Sequence, residues 1–167
     1  MENHQPNREK EIRAGHSVEL DAVLVPERVL ILTCRKKLEV LNALIDCLAQ
    51  APEVKDRQAL AEGIFRRERL MSTGIGLGIA IPHVRLDTVE NVAVAACLCR
   101  EPIIDYDSLD NQPVRLVFMI AAGQNQHEQH LKLLASLSSR LKDETFRNNL
   151  LAAPDSQTFY RILTRKD

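Results

Sequence analysis

The stretch over residues 67–84, RERLMSTGIGLGIAIPHV, limits the possible folds of this chain more than any other. Three of its glycines stand at alternate positions, and a proline and a histidine lie near its end. Glycines allow backbone amides to approach a ligand without intervening side chains. Because Pro82 forces the residue before it to be extended, we expect a short strand over residues 77–81 that ends there and holds His83 at a fixed strand exit.

Hydrophobic patterning elsewhere predicts both helices and buried strands. Apolar residues at helical spacing predict helices over residues 36–50, 53–69 and 126–142, and Asp143 and Asp155 are placed to cap two more, ending at 151 and 163. Unbroken apolar runs predict buried strands over residues 91–100 and 114–122, whereas residues 17–32 resemble a turn or short helix. The link between the two long strands is too short for a crossover helix. We therefore predict a single α/β domain, a mixed β-sheet flanked by helices.

Composition is that of an ordinary soluble globular domain. The 167 residues are 45% hydrophobic and 27% charged, with a net charge of −1. We expect a flexible N-terminal extension over residues 1–16 and one domain over 17–167. The absence of a basic excess and the 4% aromatic content argue against nucleic acid as a partner. No apolar run is long enough for membrane insertion, and no secretory signal is visible, so we expect a cytoplasmic protein.

His83 is the primary candidate for chemistry. A single histidine at a strand end usually has only a structural hydrogen bond, but here the glycines and Pro82 together fix one imidazole. Its unprotonated nitrogen at neutral pH is a competent nucleophile for phosphorus. An arginine at the end of the preceding helix would neutralise a phosphoryl group carrying a charge of about −2. The sequence alone does not decide among Arg66, Arg67 and Arg69.

His130, near the start of the helix after the second long strand, is the second candidate. It would donate a ring N–H to phosphoryl oxygens or orient His83, and a partly buried structural histidine is equally consistent. We expect His127 to be exposed. His83, His127 and His130 also permit a zinc site, but no fourth ligand has a convincing spacing, so we predict no metal. A dinucleotide loop is disfavoured because that motif needs a strand before its glycines and a helix after them.

Two sequence segments resemble a known family. STGIG over residues 72–76 and GIAIPH over residues 78–83 are similar to the signature of the IIA component of the bacterial phosphoenolpyruvate-dependent sugar phosphotransferase system, mannitol/fructose class. DNQPV over residues 110–114 most resembles the nitrogen-regulatory branch, and His130-Leu131 matches as well. The resemblance covers about residues 18–163 and implies an α/β domain with a mixed sheet flanked by helices.

The resemblance also implies a role for each matched residue. His83 matches the histidine that accepts a phosphoryl group through Nε2 from the histidine phosphocarrier protein. His130 matches the second active-site histidine, Arg67 the arginine that stabilises phosphoryl charge, and Glu68 a neighbouring acid with a structural role. We expect three residues of the glycine loop to bind the phosphoryl group: Thr73, Gly74 and Gly76.

The implied function is that of a phosphotransferase component with a phosphohistidine intermediate and no cofactor. In the regulatory interpretation, which we favour, the phosphorylation state decides which transporter or kinase the domain binds. The alternative is a subunit that relays the phosphoryl group to a fructose- or mannitol-type IIB domain for sugar uptake. A protein-binding module that is never phosphorylated is a third interpretation, against which the intact His83, Arg67 and His130 argue.

Overall fold

The computed structural model describes residues 19–165 and contains six strands and five α-helices in that range. The strands are β1 (Val29–Leu32), β2 (Gly74–Gly76), β3 (Ile79–Ala80), β4 (His83–Leu86), β5 (Ala93–Ile103) and β6 (Val114–Gly123). The helices are α1 (Lys37–Leu48), α2 (Arg57–Leu70), α3 (His127–Leu141), α4 (Glu144–Leu151) and α5 (Ser156–Thr164). Two 3-10 turns, Leu20–Ala22 and Pro26–Arg28, precede β1.

The strands form one mixed sheet in the order β1-β5-β6-β3-β2, with β4 also paired to β6. β5 and β6 are antiparallel, whereas β1 is parallel to β5 and both β3 and β4 are parallel to β6. The prediction of a mixed sheet flanked by helices is therefore confirmed. Among the described strands β4 pairs only with β6, so its other side is an open edge of the sheet.

Both faces of the two central strands are buried, which explains their unbroken apolar sequences. One face packs against α1 and α2, and the other against α3, α4 and α5. Side chains alternate between the faces: Met119 points to the α1 and α2 side and Phe118 to the α3 side. Cys97 and Cys99 are buried on the α1 and α2 side as free thiols.

The short strands correct the prediction for residues 77–81. The chain forms an antiparallel β2–β3 hairpin whose turn, Leu77-Gly78, has positive φ at both residues. β3 ends at Ala80, two residues before Pro82, and the chain pairs with β6 again from residue 83. His83 is therefore the first residue of β4 and not a strand exit. The prediction of a turn or short helix over residues 17–32 is also incomplete, because the last four of these residues form β1.

Smaller differences concern element ends. α2 begins at Arg57 and not at residue 53, because the carboxylate of Asp56 accepts a hydrogen bond from the amide of Ala59 and caps the helix there. β5 continues three residues beyond the predicted end at 100. The extension predicted over residues 1–16 lies outside the described residues. Within the described range, none of the helices combines the length and apolarity that a bilayer crossing requires.

Candidate active site

A cavity of about 430 Å³ lies at the open edge of the sheet. It is lined by residues of α2, β4 and the start of α3: Arg67, His83, Val84, Arg85, Gln124, His127, His130, Leu131 and Leu134. The structure thus brings together the three residues predicted to act on the phosphoryl group, although α2, β4 and α3 are distant in sequence.

The His83 ring is held by the backbone that precedes it. Its Nδ1 lies 2.7 Å from the carbonyl oxygen of Ile81, and only an N–H can donate to that acceptor. The proton is therefore on Nδ1, and the lone pair is on Nε2. Burial lowers the pKa of His83 and the Arg67 cation lowers it further, whereas the hydrogen bond that His83 donates to the Ile81 carbonyl and the Glu68 carboxylate raise it. The ring is neutral at pH 7 and is a nucleophile through Nε2.

His130 stands beside His83 in the first turn of α3. Gln126 fixes the start of this helix, since its side-chain oxygen accepts a hydrogen bond from the amide of Gly123 at the end of β6. The two imidazole rings lie edge to face, with centroids 5.2 Å apart. His130 is 5% exposed, and its buried Nε2 has no hydrogen-bond partner in the described part of the chain. A buried, unpartnered ring nitrogen is costly unless a ligand satisfies it.

The pKa of His130 makes a testable prediction about stability. Burial first, and then the charges of His83, Arg85 and His127, together lower this pKa from 6.5 to about 4. Arg67 is the other cationic side chain that lines the cavity. As the pH falls, this histidine takes up its proton near pH 6.5 in the unfolded chain but only near pH 4 in the folded chain. Protonation therefore favours the unfolded chain, so the free energy of unfolding is highest above pH 6.5 and decreases as the pH falls below it. Between pH 7 and pH 4, the free energy of unfolding measured in urea should decrease by about 2 kcal/mol more for wild type than for His130→Asn. Parallel pH profiles would contradict the prediction.

Arg67 reaches the cavity because α2 packs closely on β4. A Cβ at Gly63, one turn before Arg67, would lie 2.7 Å from Cγ2 of Val84, so only glycine permits this contact. Nη1 of Arg67 donates to the carbonyl of Met71, 2.8 Å away, at the helix end. Arg66 and Arg69 line a different cavity. The structure thus selects Arg67 from the three arginines between which the sequence did not decide.

The glycine loop occupies a different position from the predicted one. Thr73, Gly74 and Gly76 do not line the histidine cavity. A Cβ at Gly74 would lie 2.1 Å from the carbonyl oxygen of Asp107, and one at Gly76 would lie 3.1 Å from the Asp110 carboxylate. These glycines therefore allow the β2–β3 hairpin to pack against the loop over residues 107–110. The prediction that they bind the phosphoryl group is not supported by this placement.

Thr73 belongs to a buried polar cluster built around Glu68. The Glu68 side chain, 5% exposed, accepts hydrogen bonds from the hydroxyls of Thr73 and Tyr106 and forms an ion pair with Lys37 at 2.8 Å. The Lys37 ammonium also lies over the Tyr106 ring, 4.4 Å from its centroid. Burial and the Glu68 carboxylate raise the pKa of Tyr106, so its hydroxyl stays a donor. The Thr73 hydroxyl is thus engaged, and the contacts of Glu68 are structural.

Arg85 and His127 are cavity residues to which the sequence assigned no role. Arg85 stands two positions after His83 on β4 and so projects from the same side of the strand, a spacing that could have revealed it had β4 been recognised. His127 is exposed, as expected. Among the apolar residues of the β2–β3 hairpin and β4, Leu77 is 49% exposed, whereas Ile79 is buried and Val84 packs partly into the core.

No group of three or more His, Cys, Asp and Glu side chains within residues 19–165 is arranged to hold a metal ion. The three histidines of the cavity therefore do not form the zinc site that their sequence spacing permitted. Their chemistry, with two arginines beside them, is that of an anion site containing one nucleophilic imidazole.

The family model for the phosphoenolpyruvate-dependent sugar phosphotransferase system, EIIA 2, matches residues 23–166. The chain belongs to this family. It is 41% identical over 133 residues to the fructose-specific EIIABC component of Bacillus subtilis, covering 80% of this chain and 21% of that protein. The chain therefore spans about a fifth of that relative. It is 33% identical over 147 residues to the nitrogen regulatory protein of Pseudomonas aeruginosa, covering 87% and 95% of the two chains.

Solved structures of this EIIA family share the fold. The nitrogen regulatory protein IIA-Ntr from Neisseria meningitidis has a TM-score of 0.80 at 27% identity, with 87% of this chain and 99% of that chain covered. The enzyme IIA mannitol of Escherichia coli, solved in complex with phosphorylated enzyme IIB mannitol, has a TM-score of 0.70 at 25% identity, with 82% and 94% covered. The chain is thus a component of a system that transfers phosphoryl groups, and a phosphocarrier role fits both branches.

Proposed function

We propose that this EIIA domain accepts a phosphoryl group on Nε2 of His83 from the histidine phosphocarrier protein and signals through its phosphorylation state. The observation that carries the proposal is the 2.7 Å contact between Nδ1 of His83 and the carbonyl of Ile81, which leaves Nε2 unprotonated. That nitrogen belongs to a ring at a cavity with two arginines and a second histidine. Such a transfer needs mainly positioning and stabilisation of charge.

The chemical step transfers one phosphoryl group between two imidazoles. The Nε2 lone pair of His83 forms a new bond to phosphorus, while the bond from phosphorus to the donor ring nitrogen breaks and returns its electron pair to that ring. His83 keeps its Nδ1 proton, so the phosphorylated ring carries a positive charge that the Ile81 carbonyl stabilises. In this proposal His130, whose ring centroid lies 5.2 Å from that of His83, donates a ring N–H to a phosphoryl oxygen, and Arg67, which lines the same cavity, neutralises charge.

Downstream of this step we favour regulation over sugar uptake. The similarity spans 95% of the nitrogen regulatory protein of Pseudomonas aeruginosa, and the DNQPV sequence over residues 110–114 is most like that branch. The partner would then be a transporter or kinase that binds one phosphorylation state, in the cytoplasm. The fructose-specific relative and the mannitol-type complex support the alternative, in which a IIB domain receives the phosphoryl group.

A transfer assay separates these functions. The chain is incubated with phosphoenolpyruvate and the upstream carriers, and the labelled protein is then offered a panel of fructose- and mannitol-type IIB domains. We expect labelling of the chain without rapid transfer to any IIB domain, whereas rapid transfer to one of them would establish the uptake role. If the chain takes no label, the proposed phosphocarrier function is wrong, and the remaining interpretation is a protein-binding module that is never phosphorylated.

Arg67 variants test the electrostatic part of the proposal. We expect Arg67→Gln to slow phosphoryl acceptance about tenfold to a hundredfold, because one charged donor at the transferred group is lost, and Arg67→Lys to recover part of the rate. The rate is measured by quenched-flow labelling, with Arg69→Gln as the matched control on the same helix because Arg69 lines another cavity. Equal rates for Arg67→Gln and wild type would remove Arg67 from the site.

A further inference from the structure

Arg85 is the one strongly charged side chain of the cavity to which the family resemblance gives no role. It is partly buried and projects from β4 on the same side as His83. Its guanidinium has no hydrogen-bond or ion-pair partner among the described residues, although its own backbone carbonyl accepts a hydrogen bond from Gln124. The buried Arg28 and the partly buried Arg140 do have such partners, since both donate to backbone carbonyls. A partly buried guanidinium without a partner indicates a ligand that is absent.

The rest of the cavity identifies the kind of ligand. Two arginines and three histidines line it, and no carboxylate is among the lining residues. The nearest acidic neighbours have partners of their own, since Glu68 pairs with Lys37 and Glu128 with Lys132. The buried Nε2 of His130 has no partner either. Basic side chains from three different elements thus converge on one space, and those of Arg85 and His130 have polar nitrogens without a partner in residues 19–165, which suits an anion with several acceptor oxygens.

We propose that Arg85 is a second phosphoryl-binding arginine, which contacts the group on His83 from the β4 side while Arg67 contacts it from the α2 side. The proposal rests on the phosphocarrier function described above. Arg67 lowers the pKa of His83, and Arg85 lowers that of His130. These effects agree with two arginines that approach the histidine pair from different sides. Two guanidinium groups would offset the charge of about −2 on the phosphoryl oxygens, which the phosphorylated His83 ring compensates only in part.

A small-molecule donor separates this role from contact with a partner protein. Phosphoramidate delivers a phosphoryl group directly: the Nε2 lone pair of His83 attacks phosphorus, the P–N bond of the donor breaks, and ammonia leaves with the bonding electrons. If Arg85 contacts the phosphoryl group, the variant must be slow with this donor as well as with the phosphocarrier protein. If Arg85 instead contacts an acidic residue of the partner, only the protein-dependent rate changes.

We expect Arg85→Gln to be labelled about tenfold more slowly than wild type by both donors and Arg85→Lys to be intermediate, because a lysine keeps the charge and loses the bidentate geometry. The matched control is Arg66→Gln, an exposed arginine of the other cavity that should react like wild type. Urea unfolding of each variant checks that the fold is retained. A wild-type rate of Arg85→Gln with phosphoramidate would overturn the proposal, whatever its rate with the protein donor.

Binding of inorganic phosphate tests the role of Arg85 without a phosphoryl-transfer step. The histidine ring signals of His83 and His130 are followed by NMR during a phosphate titration of wild type and Arg85→Gln. We expect the variant to bind phosphate at least about fivefold more weakly. Equal affinities, or no binding by wild type, would overturn the assignment of Arg85. Absence of labelling in wild type together with weakened phosphate binding in the variant would remove the phosphocarrier function and keep the two-arginine anion site.

Discussion

His83→Gln is expected to abolish phosphorylation of this chain by phosphoenolpyruvate and the upstream carriers. Glutamine can still occupy the first position of β4, but its amide nitrogen has no lone pair available to attack phosphorus. The loss should be complete, because among the histidines of residues 19–165 only His83 has an Nε2 held unprotonated by a backbone contact, the 2.7 Å hydrogen bond from Nδ1 to the Ile81 carbonyl. The measurement is the stoichiometry of acid-labile, base-stable label on purified protein.

His127→Gln and His130→Gln are the matched variants for this experiment, since both histidines line the same cavity. Each variant should still reach the full stoichiometry of label, and His130→Gln should reach it more slowly because a donor to the phosphoryl oxygens is lost. Label that persists on His83→Gln would show that another nitrogen accepts the group. Label lost from His130→Gln but kept by His83→Gln would reverse the two roles.

The centre of the fold was predictable because its signal is local. The apolar runs over residues 91–100 and 114–122 are explained by burial on both faces, a pattern that needs no knowledge of the partner strand. β1 and β4 gave no comparable signal, since each has only four residues. In β4, His83 and Arg85 face the cavity at the open edge of the sheet. These two polar residues made the segment look like part of an active-site loop, so the sequence did not indicate a strand.

The site was predictable only in part. The motif over residues 72–83 indicated His83, and the structure places Arg67 and His130 beside it. Thr73 was assigned to the phosphoryl group because it precedes the glycines, yet its hydroxyl meets that of Tyr106, 33 positions further along the chain. Such a contact depends on how the loop before β6 returns to the hairpin, and no local pattern encodes it.

The second large effect is expected at Glu68, in the buried polar cluster near the end of α2. Glu68→Ala should lower the free energy of unfolding by about 3–5 kcal/mol, because it leaves the Lys37 ammonium and the hydroxyls of Thr73 and Tyr106 without their shared acceptor in a buried site. This is a large share of the ~5–15 kcal/mol that stabilises a typical domain. Urea unfolding at pH 7 measures it, with Glu62→Ala as the control, since Glu62 is exposed and accepts a hydrogen bond from Gln58 of the same helix.

A second substitution separates the buried charge from a simple loss of packing. If the unpaired ammonium accounts for most of the cost, Lys37→Met in the Glu68→Ala background should recover part of the stability, since it removes the uncompensated cation. Recovery is measured by the same urea titration. A Glu68→Ala variant within about 0.5 kcal/mol of wild type, or a double variant with the summed loss of the two single ones, would show that the cluster is not coupled in this way.

The same variants connect the cluster to phosphoryl transfer. Glu68 adjoins Arg67 at the end of α2, and its bonds to Thr73 and Tyr106 tie that end to the β2–β3 hairpin and to the loop before β6. A loosened helix end lets the Arg67 guanidinium sample more positions, which lowers its contribution to stabilising the transferred group. Folded Glu68→Ala protein, at a temperature where unfolding is negligible, should therefore accept the phosphoryl group more slowly than Glu62→Ala. Equal rates would mean that Arg67 is held by its own contact with Met71 alone.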